Sequence, residues 1–450
     1  MPQSDSPPKT APPPALPGRD LARLMVLFGT LYFVQGVIEP TANLPYQPLE
    51  TQLSRWGYST GETGKFFGII GIAWSIKPLF GLLSDFFPIA GRRRRPYLVL
   101  STLLAAGSFL LLAWWWNPRI AGGRMTDWGL WLLGGSPLSV AGWLMIAAGI
   151  GIAMSDVVID ALAVEEGQPR GITGQIQSVQ WGTMAAAALL CGVLGGYIAE
   201  HRWLRPMFLG CGVLGLVSVA TVLLLVREPR RPREPLANLW AAILDVTDRR
   251  RLATLVTAGL FLFLWNFNPF FSTVLNTYMR DELRLGEVFY GYTASLIAAS
   301  QIVACIAYPW YCRRVPMGWL VHGSIVAGIA ATLVYWLLYD AWSAVVASLV
   351  YGFAYQTATL VQLDLSARVC PVSSAGTMFA LLMAISNTGN TMGIHFGGQW
   401  YETLSHRLHD PHRAFDLLVL IGAAFTAGCW LLVPAMKWSG APWADGPPAK

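Results

Sequence analysis

GETGKFFGIIGIAWSIKPLFGLLSDFFPIAGRRRR occupies residues 61–95. It opens as an apolar run, and roughly 20 apolar residues are enough to cross the hydrocarbon of a bilayer. One lysine, Lys77, interrupts the run and is followed at once by Pro78. The run closes on Gly81 and Asp85, then reaches Gly91 and the four arginines Arg92 to Arg95. Cytoplasmic loops collect Lys and Arg, so the arginines mark the cytoplasmic end. Lys77 lies where a charge is costly and needs a partner or a water-filled cavity.

The whole chain repeats this character. Of its 450 residues 54% are hydrophobic and only 12% charged, against about 25% charged in soluble domains. This composition predicts an all-α membrane protein, because lipid forces backbone polar groups to pair within helices. The net charge of +6 comes from basic loops and not from the basic, aromatic patch of a nucleic-acid reader. The six cysteines are scattered without CxxC spacing and read as small buried hydrophobes.

Twelve apolar spans are expected. Six fall at 22–46, 62–84, 96–116, 138–164, 173–199 and 205–226. Six more fall at 252–277, 287–311, 317–338, 341–364, 374–398 and 413–435. Residues 1–20 read as a disordered cytoplasmic N-terminus, 227–251 as a cytoplasmic linker with a short amphipathic helix at Leu236–Val246, and 437–450 as a cytoplasmic tail. The bundles are 21–226 and 252–436. With both termini inside, twenty of the 31 Lys and Arg residues lie on the cytoplasmic side, ten lie outside and Lys77 lies within the membrane, which satisfies the positive-inside rule. Gly61-Glu62 and Gly286-Glu287 open matching spans, and Pro40 and Pro269 fall at similar offsets. Two six-helix, pseudo-symmetric bundles of this kind are the mark of a transporter rocking around a midplane site.

Charged and amide side chains inside these spans are the candidate machinery. Asp156 and Asp160 are four apart and share a helix face. Two carboxylates at that spacing in low dielectric cannot both ionise cheaply. With Lys77 at similar depth they form either a proton site or a static ion pair that fixes helix packing. Gln35 and Glu39 are also four apart, with Tyr32 on the same stripe, and Pro40 breaks the helix beside Glu39. Asp85 with Arg92 and Arg93 forms either a gating latch or a set of topology signals. Trp265-Asn266-Phe267-Asn268-Pro269 makes a polar break in span seven; Asn387 and Asn390 share a face in span eleven. These asparagines either line a cavity or join helices. The Gly192, Gly196 spacing reads as close helix packing.

The stretch Gly81-Leu-Leu-Ser-Asp85 followed by Gly91-Arg-Arg resembles the loop motif between helices 2 and 3 of the major facilitator superfamily. KPLFGLLSDFFPIAGRRRRPYLVLS (77–101), SDVVIDALAVEEG (155–167) and GQIQSVQWG (174–182) together resemble the folate–biopterin transporter family within it. Muropeptide permeases share a Lys in helix 2 and an xDxVIDA stretch, but not QSVQWG. The resemblance implies the major facilitator fold and folate or pterin-like substrates, probed by Gln177 and Gln180 amides with Trp181 stacking on the ring. Lys77, Asn266, Asn387 and Asn390 complete the expected substrate set. Asp156, Asp160 and Glu39 would couple protons; Asp85, Arg92 and Arg93 would gate.

The expected partners are a small-molecule substrate, protons and the lipid bilayer, with no nucleic acid and no cofactor. The chain is expected to be a monomer in a bacterial inner membrane. Neither a GxxxxGK[ST] loop nor a metal-ligand cluster nor a nucleophile with a base is found, so neither an ATP-driven pump nor an enzyme is expected. Muropeptide, sugar or drug transport on the same fold, and a non-transporting assembly or sensor protein, are the alternatives.

Overall fold

The computed structural model describes residues 18–56, 66–67, 69–116, 137–230, 249–271, 274–275, 278–285, 287–370 and 375–438. Its regular elements are helices: α1 (Gly18–Ile38), α2 (Tyr46–Arg55), α3 (Ile72–Ser75), α4 (Lys77–Phe86), α5 (Arg95–Trp115), α6 (Pro137–Gly167), α7 (Thr173–His201) and α8 (Leu204–Leu225), then α9 (Arg249–Asn266), α10 (Glu287–Tyr311), α11 (Met317–Leu333), α12 (Ala341–Val369), α13 (Ala375–Leu408) and α14 (Pro411–Trp438). Nine of the described helices are long and apolar enough to cross a bilayer. The other three expected spans contain α3–α4, the shorter apolar α9, and the long but more polar α13. The linker helix at 236–246 and both chain ends lie outside the described residues.

Prolines set the places where spans break. α1 stops at Ile38, two residues before Pro40, so span one is shorter than expected. α9 stops at Asn266, ahead of Pro269. Span two splits at Ile76, because Pro78 has no N–H to give the preceding turn. Lys77 is thereby placed at the start of α4. α12 begins on a capping box: Asp340 accepts from the Ser343 N–H at 2.7 Å, and Ser343 Oγ accepts from the Asp340 N–H at 2.8 Å.

Side-chain burial has the pattern of a protein solvated by lipid. Trp114, Leu224, Trp310 and Leu431 are 72–82% exposed on helix flanks, whereas the interior holds close-packed apolar clusters. One joins Leu24, Phe28, Tyr97, Val158, Ile176 and Val222 from α1, α5, α6, α7 and α8. Another joins Phe261, Trp265, Tyr308, Val321 and Phe379 from α9, α10, α11 and α13, and takes in Ala161 and Val164 of α6. All six cysteines are free and buried. Gly192 meets nothing within 4 Å, so it is not the close-packing glycine its spacing suggests. Its neighbour Gly195 faces Gln47 and Pro48 of the α2 segment instead.

Candidate functional site: a buried charge cluster and the seam beside it

The charge cluster lies among α1, α4 and α6. Lys77 Nζ is 2.5 Å from Asp156 Oδ2, and Gln35 Nε2 donates to Asp156 Oδ1 at 2.6 Å. One turn on, the Tyr32 hydroxyl donates to Asp160. All five side chains are buried. Lys77 also sits 4.2 Å from the centroid of the Trp74 ring, a cation–π contact. The Trp74 indole N–H in turn donates to Glu39 at 3.2 Å, and Glu39 takes further bonds from Thr41 N–H and O–H at 3.0 and 2.5 Å. A single path of contacts therefore runs from Glu39 through Trp74 and Lys77 to Asp156. Removing one member of a buried pair of this kind leaves an uncompensated charge, at about 3–5 kcal/mol.

At the arginine-rich end, the two sets of helices meet across a seam. Asp85, at the end of α4, accepts from Gly376 N–H at 3.3 Å and from Thr377 N–H and Oγ at 2.7 Å each. It thus caps the N-terminus of α13, where a helix favours negative charge. Arg94 holds Asp85 from behind. It reaches Asp85 at 2.7 Å, Ser84 at 2.7 Å and Glu165 of α6 at 2.7 Å, and it is fully buried. Burial alone would lower the proton affinity of Arg94, but Glu165 and Asp85 reverse this and raise it above its ordinary value.

The ion pair to Asp85 is therefore made by Arg94, a residue not singled out from the run of four, and not by Arg92 or Arg93. The selection comes from backbone geometry. Ala90 and Gly91 have positive φ, and Ile89 and Arg92 exchange backbone hydrogen bonds across the turn. Glu228 accepts from the N–H groups of Arg93, Arg94 and Arg95 at 2.6, 3.1 and 2.9 Å. That fixes which arginine turns inward.

A second set of bonds crosses the same seam. Asp364 of α12 accepts from the Thr173 hydroxyl at the start of α7 and pairs with Arg368 at 2.9 Å. Gln168 Nε2 donates to the carbonyls of Ala367, Arg368 and Cys370 at 3.2, 2.9 and 3.1 Å. The Ser178 hydroxyl donates to Cys305 O. Gly81 and Gly174 permit these approaches. A Cβ at Gly81 would lie 2.5 Å from Gly376 O, and one at Gly174 would lie 3.0 Å from the Tyr308 ring.

The remaining predicted residues are spread out. Gln177 and Gln180 are buried, and both polar atoms of the Gln180 amide have no hydrogen-bond partner. Trp181 packs against the core cluster of the later helices. Asn266 joins helices, donating to Leu262 O and Ser386 Oγ at 2.9 Å each and accepting from Tyr355 at 3.3 Å. Asn387 and Asn390 are exposed. Asn390 lines a cavity of about 390 Å³ together with Asn268 and Gln301. No group of three or more His, Cys, Asp or Glu side chains able to hold a metal occurs among the described residues.

Comparison with known proteins fits this arrangement. Residues 53–434 match the model of the BT1 family. The chain is 26% identical over 411 residues to the folate-biopterin transporter of Synechocystis sp., covering 87% of this chain and 76% of that protein. It is 24% identical over 450 residues to the probable folate-biopterin transporter 4 of Arabidopsis thaliana, covering 82% and 86%. Among solved structures it is similar to a proton:xylose symporter of the major facilitator superfamily, with TM-score 0.63, 14% identity and coverage of 92% and 96%. The human organic anion transporter MFSD10 gives TM-score 0.63, 15% identity and coverage of 93% and 100%. The chain belongs to the BT1 family and is a multi-pass membrane transporter, not an enzyme, with the major facilitator fold.

Proposed function

We propose that this chain is a secondary active transporter that moves folate or pterin-like substrates across a bacterial inner membrane by alternating access, coupled to protons. The observation that carries the reading is the buried Lys77–Asp156 pair with Asp160 one turn away. A charge cluster inside a membrane is expensive and is retained for work. The substrate class rests on the names of the curated relatives.

In this mechanism the anionic carboxylate of the substrate competes for Lys77. Asp156, losing its partner, takes up a proton, and Asp160 exchanges its own with Tyr32 and water. Glu39 marks the route by which protons reach the cluster from the far side. Asp85, held by Arg94, gates the cytoplasmic end between the two six-helix bundles 21–226 and 252–436, with Arg92 and Arg93 in the same loop. When that end opens, Gln177, Gln180 and Trp181 leave the seam and meet the substrate, with Asn266, Asn387 and Asn390 opposite. Protein in proteoliposomes should accumulate labelled folate when the outside is acidic, and a protonophore should abolish that accumulation. The protein should also be stabilised against heat by folates and pterins but not by muropeptides or sugars. Absence of folate uptake together with stabilisation by a muropeptide would refute the substrate class; uptake indifferent to the pH gradient would refute the coupling.

A further inference from the structure

The cavity of about 390 Å³ is walled by residues from α9's C-terminal extension, α10, α12 and α13. Its size falls within the roughly 300–1,000 Å³ of small-molecule sites. It lies away from the arginine-rich seam: Tyr351 and Tyr355 are in the first half of α12, whereas Asp364 and Arg368 are near its end. Three aromatic rings on its wall form a ladder. Phe271 stacks on Tyr351 at 4.8 Å and 22°, and Tyr351 stacks on Tyr355 at 5.1 Å and 15°. Three amides complete the polar lining: Asn268, Gln301 and Asn390. Asn268 is 7% exposed, and its carbonyl oxygen is sealed from solvent beside Gly422 of α14, which leaves Gln301 and Asn390 as the amides open to a ligand. None of the lining residues is charged.

Each feature narrows the ligand. Tyr351 is the middle rung, covered by Phe271 and Tyr355, so Tyr355, the end rung on the cavity wall, is the one that can present a flat face to another ring. Each amide offers a donor and an acceptor side by side, and so matches a ring edge where donors and acceptors alternate. An uncharged wall suits the neutral part of a molecule, since an unpaired charge would be poorly solvated there. Resting on the transport reading above, we infer that this cavity is the docking site for the substrate's neutral pterin ring. The ring lies against Tyr355 and its edge is read by Gln301 and Asn390. The anionic tail is left to Lys77 on the other set of helices. The substrate is thus divided between the two sets of helices, and ring and tail affinities become separable.

The test uses full-length purified protein in nanodiscs, with equilibrium binding of biopterin (ring only), p-aminobenzoylglutamate (tail only), folate and D-xylose. Gln301→Leu, Asn390→Leu and Tyr355→Leu should each weaken biopterin about tenfold, as expected for one stacking or amide contact. All three should keep p-aminobenzoylglutamate binding, which also establishes that they are folded. Tyr355→Phe, which retains the ring, should recover most of the loss seen with Tyr355→Leu. Biopterin affinity unchanged in all three Leu variants would overturn the ring site while leaving folate transport standing. Wild-type protein that binds neither biopterin nor folate would remove the transport reading and the site together. Saturable D-xylose binding lost in the same variants would reassign the cavity to a sugar and overturn the inference.

Discussion

Gly81→Ala isolates the seam from everything else in the molecule. A Cβ there would lie 2.5 Å from Gly376 O, 2.6 Å from Gly376 C and 2.7 Å from Thr377 Cα. All three are backbone atoms of another helix, so no side chain can swing away. Relief requires α4 and α13 to part, which also stretches the bonds from Asp85 to Gly376 and Thr377. Overpacking of this kind costs about 1–3 kcal/mol. Because a state with the seam open avoids the clash, the cost appears as a population shift of roughly 5- to 150-fold towards that state. Cys370, a native free cysteine, reports it without an engineered one. It is 1% exposed at the end of α12, and its carbonyl accepts from Gln168 across the seam. Maleimide labelling of Cys370, followed by peptide mass spectrometry, should speed up at least fivefold in the variant, in line with that shift. Gly215→Ala is the control. Its Cβ would lie 2.8 Å from Ala106 Cβ, between α8 and α5 on one side of the seam, so it should lower stability without exposing Cys370. Equal labelling in wild type and Gly81→Ala would refute the claim that this glycine sets the closed seam.

Three further outcomes follow from the same geometry. Arg94→Ala should lower the thermal unfolding midpoint far more than Arg92→Ala, because it strands Asp85 and Glu165 around a fully buried gap, at about 3–5 kcal/mol. Lys77→Ala and Asp156→Asn should each destabilise strongly, while the double variant loses less than their sum. Chemical denaturation of all four proteins measures that coupling. Gly328→Ala should cost at least about 1–3 kcal/mol, since its Cβ would fall 1.9 Å from the Trp265 ring, and thermal melting followed by tryptophan fluorescence reads it.

Much of this molecule could be read from residue types in apolar runs. Lys77, Asp156 and Asp160 are conspicuous because charge is rare in a span; Gln35 and Tyr32 share a stripe with Glu39, but only the structure joins that stripe to the two aspartates. What spacing does not encode is the partner on a distant helix. Four consecutive arginines are chemically identical, and only the turn at Ala90 and Gly91 together with Glu228 selects Arg94. Asp364 stands out as a buried carboxylate, but its partner Thr173 is 191 residues away. Tyr351 and Tyr355 carry no mark of a site in the sequence; it is Phe271 and the amides of three other segments that close the cavity around them. Gln177, Gln180 and Trp181 were legible as polar and aromatic residues at the start of a span. Their burial against the later helices is a tertiary contact that spacing within one span does not encode.

If the buried carboxylates link folate movement to protons, Asp160→Asn must separate the two in proteoliposomes. Two rates are measured on the same vesicles: folate counterflow, which needs no net proton movement, and folate accumulation driven by an acidic exterior. Asp160→Asn should retain counterflow and lose gradient-driven accumulation. Accumulation in Asp160→Asn equal to wild type would contradict that link.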